Sequence, residues 1–186
     1  MRRRPLSRDE HEAHDASPWV VRFASLIPPA GPVLDVASGA GRHTRWFLDR
    51  GHDVVAVDRD VSGLDDIREH DRLEVVEVDL EDGEPFPLRD RRFAGVVVAN
   101  YLYRPILDQL VSAVASSGVL LYETFAVGNE RFGRPTRPEF LLQPGELLDV
   151  VRGQLRVVAF EDLVVDHPRP AAVQRIAAVR DPDNAR

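Results

Sequence analysis

Residues 33–48 read VLDVASGAGRHTRWFL, and this stretch decides the fold. An apolar strand runs into a turn of small residues, and a helical pattern follows at once. Small residues let the backbone approach a ligand closely, and the start of a helix presents free N–H groups to it. The stretch therefore predicts a strand–turn–helix unit of the kind that binds a nucleotide.

Apolar, β-branched runs continue on the C-terminal side of this unit and alternate with helical patterns. Gly51 and Gly118 are the predicted stops of the first and third helices after the first strand. This alternation predicts an α/β fold with a doubly wound parallel sheet and right-handed crossovers. The predicted strands are 33–37, 53–58, 73–79, 93–100 and 118–125, and the predicted helices between them are 41–51, 60–71 and 101–118.

The C-terminal part follows a different rule. Two strand-like runs, 155–165 and 171–180, are separated by only DHPRP, which is too short for a helical crossover. We expect them to form an antiparallel pair at the edge of the sheet.

The whole chain, 1–186, is predicted to form one domain. Residues 8–27 show a helical pattern, so we expect residues 1–28 to form an N-terminal helical cap. Residues 126–145 are rich in Gly, Pro and Arg, and they are long enough to suggest a lid over a substrate rather than a simple connection.

The net charge is −7, although all 24 basic residues are arginines. An acidic protein repels nucleic acid, and only Arg131, Arg134 and Arg137 cluster in a loop, so a nucleic-acid partner is disfavoured. The sequence has no cysteine and no apolar run of membrane length, which predicts a cytoplasmic protein without membrane contact. His11 and His14 have a spacing suited to metal, but no third ligand accompanies them, so no metal site is predicted.

Two carboxylates, Asp58 and Asp35, indicate which cofactor binds. Asp58 ends the second strand, nineteen positions after Gly39, close to the spacing of an acidic residue that binds ribose hydroxyls. A dinucleotide fingerprint would need glycine where Thr44 stands, and Asp35 would be awkward beside a pyrophosphate. Asp35 suits a sulfonium cofactor with a free amino group, although it can also cap loop amides. This favours S-adenosylmethionine over NAD, with a nicotinamide oxidoreductase as the rival.

The sequence resembles class I S-adenosylmethionine-dependent methyltransferases. Asp35, Ala37, Gly39 and Gly41 match their first motif, with Ala37 where glycine is commoner. The resemblance implies a Rossmann-like three-layer α/β/α sandwich with seven strands in the order 3-2-1-4-5-7-6, strand 7 being antiparallel, and S-adenosylhomocysteine as product. It also implies a cofactor-binding set, with Arg42, His43 and Arg59 as flanking candidates; the other members are Asp58, Asp79, Leu80, Asn100 and Tyr101.

Within that family the chain looks similar to small bacterial tellurite-resistance and thiopurine methyltransferases. The cue is the segment FLLQPGEL, residues 140–147, after the fifth strand. The similarity implies a small acceptor with a soft nucleophile. RNA or protein methylation, and S-adenosylmethionine binding without catalysis, are the alternatives.

Three residues are candidates for the chemistry. Tyr101 and Arg104 follow the fourth strand at the carboxyl end of the sheet, where ligands bind in this architecture. Glu123, near the end of the fifth strand, is a candidate base or orienting group, or else a carboxylate bound to loop amides or Arg134. Arg104 can equally face solvent, and His43 can equally lie on a helix surface.

Overall fold

The structure is a computed structural model that describes residues 15–29, 31–167 and 169–182. The predicted metal-spaced pair His11 and His14, and the start of the predicted N-terminal helix, lie outside these residues. Within the described part of the chain, no helix has the length and apolar character needed to cross a membrane.

One seven-stranded sheet forms the centre of the molecule, in the order β3-β2-β1-β4-β5-β7-β6. The strands β1 to β5 pair in parallel, and β7 runs antiparallel to both β5 and β6. The predicted fold class and strand order are therefore confirmed. The strands are β1 Val33–Val36, β2 Val54–Asp58, β3 Leu73–Glu77, β4 Phe93–Ala99, β5 Val114–Phe125, β6 Arg156–Val165 and β7 Ala171–Val179.

Short helices cover both faces of the sheet. On one face, α1 (Pro18–Phe23) and α2 (Arg42–Leu48) pack Trp19 and Phe47 against the strands. On the other face lie α3 (Leu107–Ser112) and α4 (Glu146–Val151). Because apolar strand residues alternate between these two faces, each face has its own core, and the molecule has three layers. Short 3-10 turns span Ala24–Leu26, Ser62–Ile67, Arg104–Ile106, Asn129–Arg131 and Pro138–Phe140.

The predictions fail at two helices. The second predicted helix, 60–71, is only the 3-10 turn Ser62–Ile67. The third ends at Ser112, and β5 begins at Val114, so Gly118 lies inside a strand instead of ending a helix. The register between β4 and β5 shifts here, and Ser117 has a φ of +62°. A side chain at Gly118 would meet the carbonyl oxygens of Ala115 and Phe93 at 2.8 and 2.9 Å. Close backbone packing, not helix termination, therefore accounts for this glycine.

Candidate active site

The turn after β1 has the shape that its small residues predict. Ala37, Gly39 and Gly41 all have positive φ angles, of 52°, 53° and 76°. At Gly41 a Cβ atom would lie 2.2 Å from a methyl group of Leu64, so only glycine fits there. Ala37 adopts the same left-handed region despite its side chain, which is unfavourable for any residue but glycine.

The predicted ribose-binding residue Asp58 lies directly beside this turn. Its Oδ2 accepts the N–H of Gly39 at 2.7 Å, and its Oδ1 accepts the N–H of Asp60 at 3.0 Å. These two bonds fix the carboxylate against the turn, and each oxygen keeps a further lone pair for a ligand hydroxyl.

Asp35 is buried, with 1% of its surface exposed. Its Oδ2 accepts the Thr44 N–H at 2.9 Å and the Thr44 hydroxyl at 2.6 Å. Burial raises its pKa to about 6, although the bonds from Thr44 oppose that rise. Through Oδ2 the carboxylate therefore caps the first turn of α2, which is the alternative that the sequence left open. Thr44, whose presence argued against a dinucleotide, is its partner.

His43 is buried rather than placed on a helix surface. Its Nε2 accepts the N–H of Ser17 at 3.2 Å, and its Nδ1 lies 3.9 Å from Oδ1 of Asp35. Burial, with the nearby Arg42 as a smaller cause, lowers its pKa to about 3, so the imidazole is neutral. It ties the N-cap of α1 to the start of α2, and neither cleft described below is lined by it or by Arg42, whose guanidinium donates to the Asp15 carbonyl at 3.5 Å.

A first cleft of about 380 Å³ opens at the carboxyl end of β1, β2 and β3. Six predicted cofactor residues, Arg59 among them, lie in its wall, and Val78, Glu81 and Phe140 join them. Asp79 is held in place by the N–H of Glu81, which donates to its Oδ1 at 2.9 Å. The lining residues are Ala37, Asp58, Arg59, Val78, Asp79, Leu80, Glu81, Tyr101 and Phe140.

A second cleft of about 270 Å³ adjoins the first at the ends of β4 and β5. Glu81, Tyr101 and Phe140 line both clefts, so they form a common wall between them. Asn100, with a φ of +57°, lies at the turn that leads from β4 into this wall. The lining residues are Glu81, Asn100, Tyr101, Leu102, Thr124, Phe125, Pro135 and Phe140.

Tyr101 belongs to the common wall of the two clefts. Its carbonyl accepts the Tyr122 hydroxyl at 2.9 Å, which fixes the backbone after β4. Burial raises the pKa of the Tyr101 phenol, and the carboxylates of Glu81 and Asp79 raise it further. The phenol therefore stays protonated and is a donor rather than a base.

Comparison with known proteins agrees with this geometry. Residues 33–117 match the family model described as a methyltransferase domain. No curated protein sequence matches the chain. The matched segment therefore resembles a methyltransferase domain.

Solved structures share its fold. TehB from Haemophilus influenzae is 15% identical, with a TM-score of 0.70 over 89% of this chain, which spans 63% of the TehB chain. The 1,6-didemethyltoxoflavin-N1-methyltransferase of Burkholderia thailandensis is 20% identical, with a TM-score of 0.65 over 91% of this chain and 79% of that one. The glycopeptide N-methyltransferase MtfA in complex with S-adenosylmethionine is 23% identical, with a TM-score of 0.60 over 89% of this chain and 94% of that one.

Arg104 does not line either cleft. Its guanidinium forms a bidentate pair with Glu146, with N–O distances of 2.7 and 2.9 Å. It also donates to the carbonyls of Glu139 and Leu141, at 2.8 and 2.9 Å, on either side of Phe140. The structure thus places this predicted catalytic residue in a clamp that holds Phe140, because it joins the two carbonyls that flank Phe140 to the start of α4.

Glu123 also forms an ion pair away from the two clefts. Its carboxylate forms an ion pair with Arg175 of β7, at an N–O distance of 3.2 Å, and only 8% of the residue is exposed. Arg175 also pairs with Glu161 of β6 at 3.4 Å. The partner is neither Arg134 nor a loop amide, and Glu123 lines neither cleft, so the structure gives no support to a role as base.

The predicted lid, 126–145, contributes one aromatic to the site. Phe140 lines both clefts, and Pro135 lines the second. Phe132 is 42% exposed and lines neither. Arg131, Arg134 and Arg137 are all exposed; Arg137 stacks 5.3 Å from the centre of the Phe140 ring and pairs with Glu139.

Sequence reasoning missed Glu81, Thr124 and Phe125. Glu81 follows the matched pair Asp79 and Leu80 directly, and this adjacency was a usable signal. Thr124 and Phe125 follow Glu123 on β5, but no motif marks them. Their place in the wall of the second cleft depends on where β5 ends relative to β4.

Proposed function

We propose that the protein transfers the methyl group of S-adenosylmethionine to a small-molecule acceptor. The observation that carries the proposal is the pair of adjoining clefts with a common wall. A cofactor in the first cleft and an acceptor in the second would meet at Tyr101, where in-line methyl transfer requires the two reactants to face each other.

The residues of the first cleft fit an adenosyl cofactor. Asp58 offers lone pairs to the ribose hydroxyls, as its fixed position beside Gly39 allows. Asp79 and Leu80 lie where the adenine ring would bind, one as an acceptor for its amino group and the other as an apolar surface. The bound sulfonium supplies a methyl carbon that is already activated, so the protein's part is to orient the acceptor and to exclude water.

The solved neighbours support this reading by what they bind. MtfA was crystallised with S-adenosylmethionine, and the 1,6-didemethyltoxoflavin-N1-methyltransferase with 1,6-didemethyltoxoflavin and S-adenosylhomocysteine. The second cleft is also small, because its volume of about 270 Å³ lies below the range of roughly 300–1,000 Å³ typical of sites for drug-sized ligands. A cytoplasmic location belongs to the same proposal.

Ligand binding tests the cofactor assignment. We expect S-adenosylhomocysteine to raise the melting temperature and NAD to leave it unchanged, because a ligand at a hundred times its Kd stabilises the folded state by about 2.7 kcal/mol. A shift with NAD alone would contradict the proposal. Binding without turnover on any acceptor would favour a non-catalytic S-adenosylmethionine-binding protein.

Asp58→Ala provides the residue-level test. We expect it to weaken S-adenosylhomocysteine binding by about 1.5–3 kcal/mol, the usual value of hydrogen bonds to a charged group. Asp58→Asn keeps one acceptor oxygen and should lose less, while Asp65→Ala, at an exposed position outside the cleft, is the matched control. If calorimetry gave all three variants the wild-type affinity for S-adenosylhomocysteine, Asp58 would serve the structure of the loop alone.

A further inference from the structure

The second cleft has a distinctive charge pattern. Among the described residues that line it, Glu81 is the one ionisable carboxylate, and none is an arginine or histidine. Two arginines of the neighbouring segments are held in ion pairs: Arg104 pairs with Glu146, and Arg137 with Glu139. Asn100 and Thr124 supply neutral polar groups. The cleft therefore presents a negative field to whatever enters it.

The remaining wall is apolar and largely aromatic. Tyr101, Phe125 and Phe140 surround the space together with Leu102 and Pro135. Such a surface favours a flat ring over a flexible polar chain, because aromatic faces and edges attract one another. The hydroxyl of Tyr101 stays protonated, so it adds no positive charge and no base.

We propose that the acceptor is a small aromatic molecule with an uncharged nitrogen nucleophile, an aryl amine or an N–H heterocycle, held by Glu81. This inference rests on the proposed methyltransferase function and deepens it. It disfavours an anionic acceptor, and it disfavours the soft nucleophile that the family resemblance implied.

The chemistry of the transfer explains the preference for nitrogen. The nitrogen lone pair forms the new N–C bond while the C–S bond breaks and its electron pair returns to sulfur. The methylated nitrogen is then transiently cationic, and its proton passes to the Glu81 carboxylate or to water. A carboxylate stabilises that developing positive charge. A thiolate, phenolate or carboxylate nucleophile would instead bring a second negative charge close to the Glu81 carboxylate.

Binding of the acceptor is tested with four single-ring probes: aniline, phenol, benzoate and the cation benzamidine. Each probe is titrated into the full-length protein saturated with S-adenosylhomocysteine, and its binding is followed by ligand-observed NMR. We expect aniline and benzamidine to bind at least about tenfold more tightly than benzoate. Glu81→Gln should reduce the preference for benzamidine over benzoate at least about fivefold. Glu84→Gln, exposed and outside both clefts, should leave it unchanged.

Methyl transfer is the second test. The release of S-adenosylhomocysteine is measured with aniline, phenol or thiophenol as the acceptor. We expect the rate with aniline to exceed the other two, and Glu81→Gln to lower it. Benzoate binding as tightly as aniline, a faster rate with thiophenol, or a charge preference unaffected by Glu81→Gln would each overturn the acceptor class. Failure to bind S-adenosylhomocysteine in the same titrations would instead overturn the methyltransferase function itself.

Discussion

At the scale of single residues, the buried pair Asp35 and His43 has the clearest consequence for stability. The pKa of His43 is lowered to about 3 in the folded protein, so acidification below the ordinary pKa near 6.5 protonates the unfolded chain first and stability falls. The pKa of Asp35 is raised to about 6, so the folded protein binds that proton first, and stability rises as the pH falls from about 6 to about 4. The two effects oppose each other over that range.

His43→Gln removes one of these effects. Relative to wild type, we expect the variant to gain up to about 1.4 kcal/mol of unfolding free energy per pH unit as the pH falls from about 6.5 to about 5. Urea unfolding at several pH values measures this, with the exposed His70→Gln as control. Stability profiles that stay parallel would show that His43 is not held neutral by burial.

Some residues of the candidate site could be predicted from the sequence, and others could not. Ala37, Asp58 and Asp79 lie at or just beyond the ends of strands. Strand ends meet at one edge of a parallel sheet, so their convergence was predictable. Arg104 and Glu123 were misjudged because their partners are distant: Glu146 is 42 positions from Arg104, and Arg175 meets Glu123 only through the register of β5 with β7. No local pattern encodes those pairings.

At the scale of elements, the predicted lid, 126–145, has one aromatic residue at the clefts, Phe140, and one in solvent, Phe132. Phe140 is held over the clefts by the Arg104 clamp, whereas Phe132 faces solvent. We expect Phe140→Ala to lower methyl transfer at saturating cofactor about tenfold, because the acceptor loses one side of its pocket. Phe132→Ala should change the rate less than about twofold. Equal losses in both variants would show that the loop acts as a whole and not through one ring.

The start of β5 is a second element with a measurable consequence. Because a Cβ at position 118 would press on two backbone carbonyl oxygens, we expect Gly118→Ala to destabilise the fold by about 1–3 kcal/mol. Ser116→Ala, on the exposed side of the same segment, is the control and should be nearly neutral. An unchanged denaturation midpoint for Gly118→Ala would indicate that the strand can shift. Sequence periodicity could not locate this strand start, since VSAVASSG suits a helix end equally well.

For the whole molecule, the ligand site and the antiparallel pair lie in different regions of one sheet. We expect S-adenosylhomocysteine to slow hydrogen exchange in segments 37–44, 58–62, 79–81 and 100–104, where the strands end around the first cleft, because a bound ligand suppresses local opening. Exchange in the outer strand β6 should not change. Uniform protection of all strands would show global stabilisation without a localised site. The alternation of strands and helices predicted a parallel sheet with an antiparallel edge pair. The order of the strands came only from the resemblance to class I methyltransferases.

The strand β6 bounds the sheet on the side away from β3, and its length makes it the more exposed boundary. Val157, Val158, Leu163 and Val164 are partly in water along it. A long, straight strand of this kind would serve as a template on which a second chain could add its own strand. The pairing with β7 slips between Val157 and Ala159, and such a bulge twists and bends the strand that carries it. The bulge that interrupts the pairing of β6 with β7 therefore also hinders a strand of a second chain from pairing with the free edge of β6.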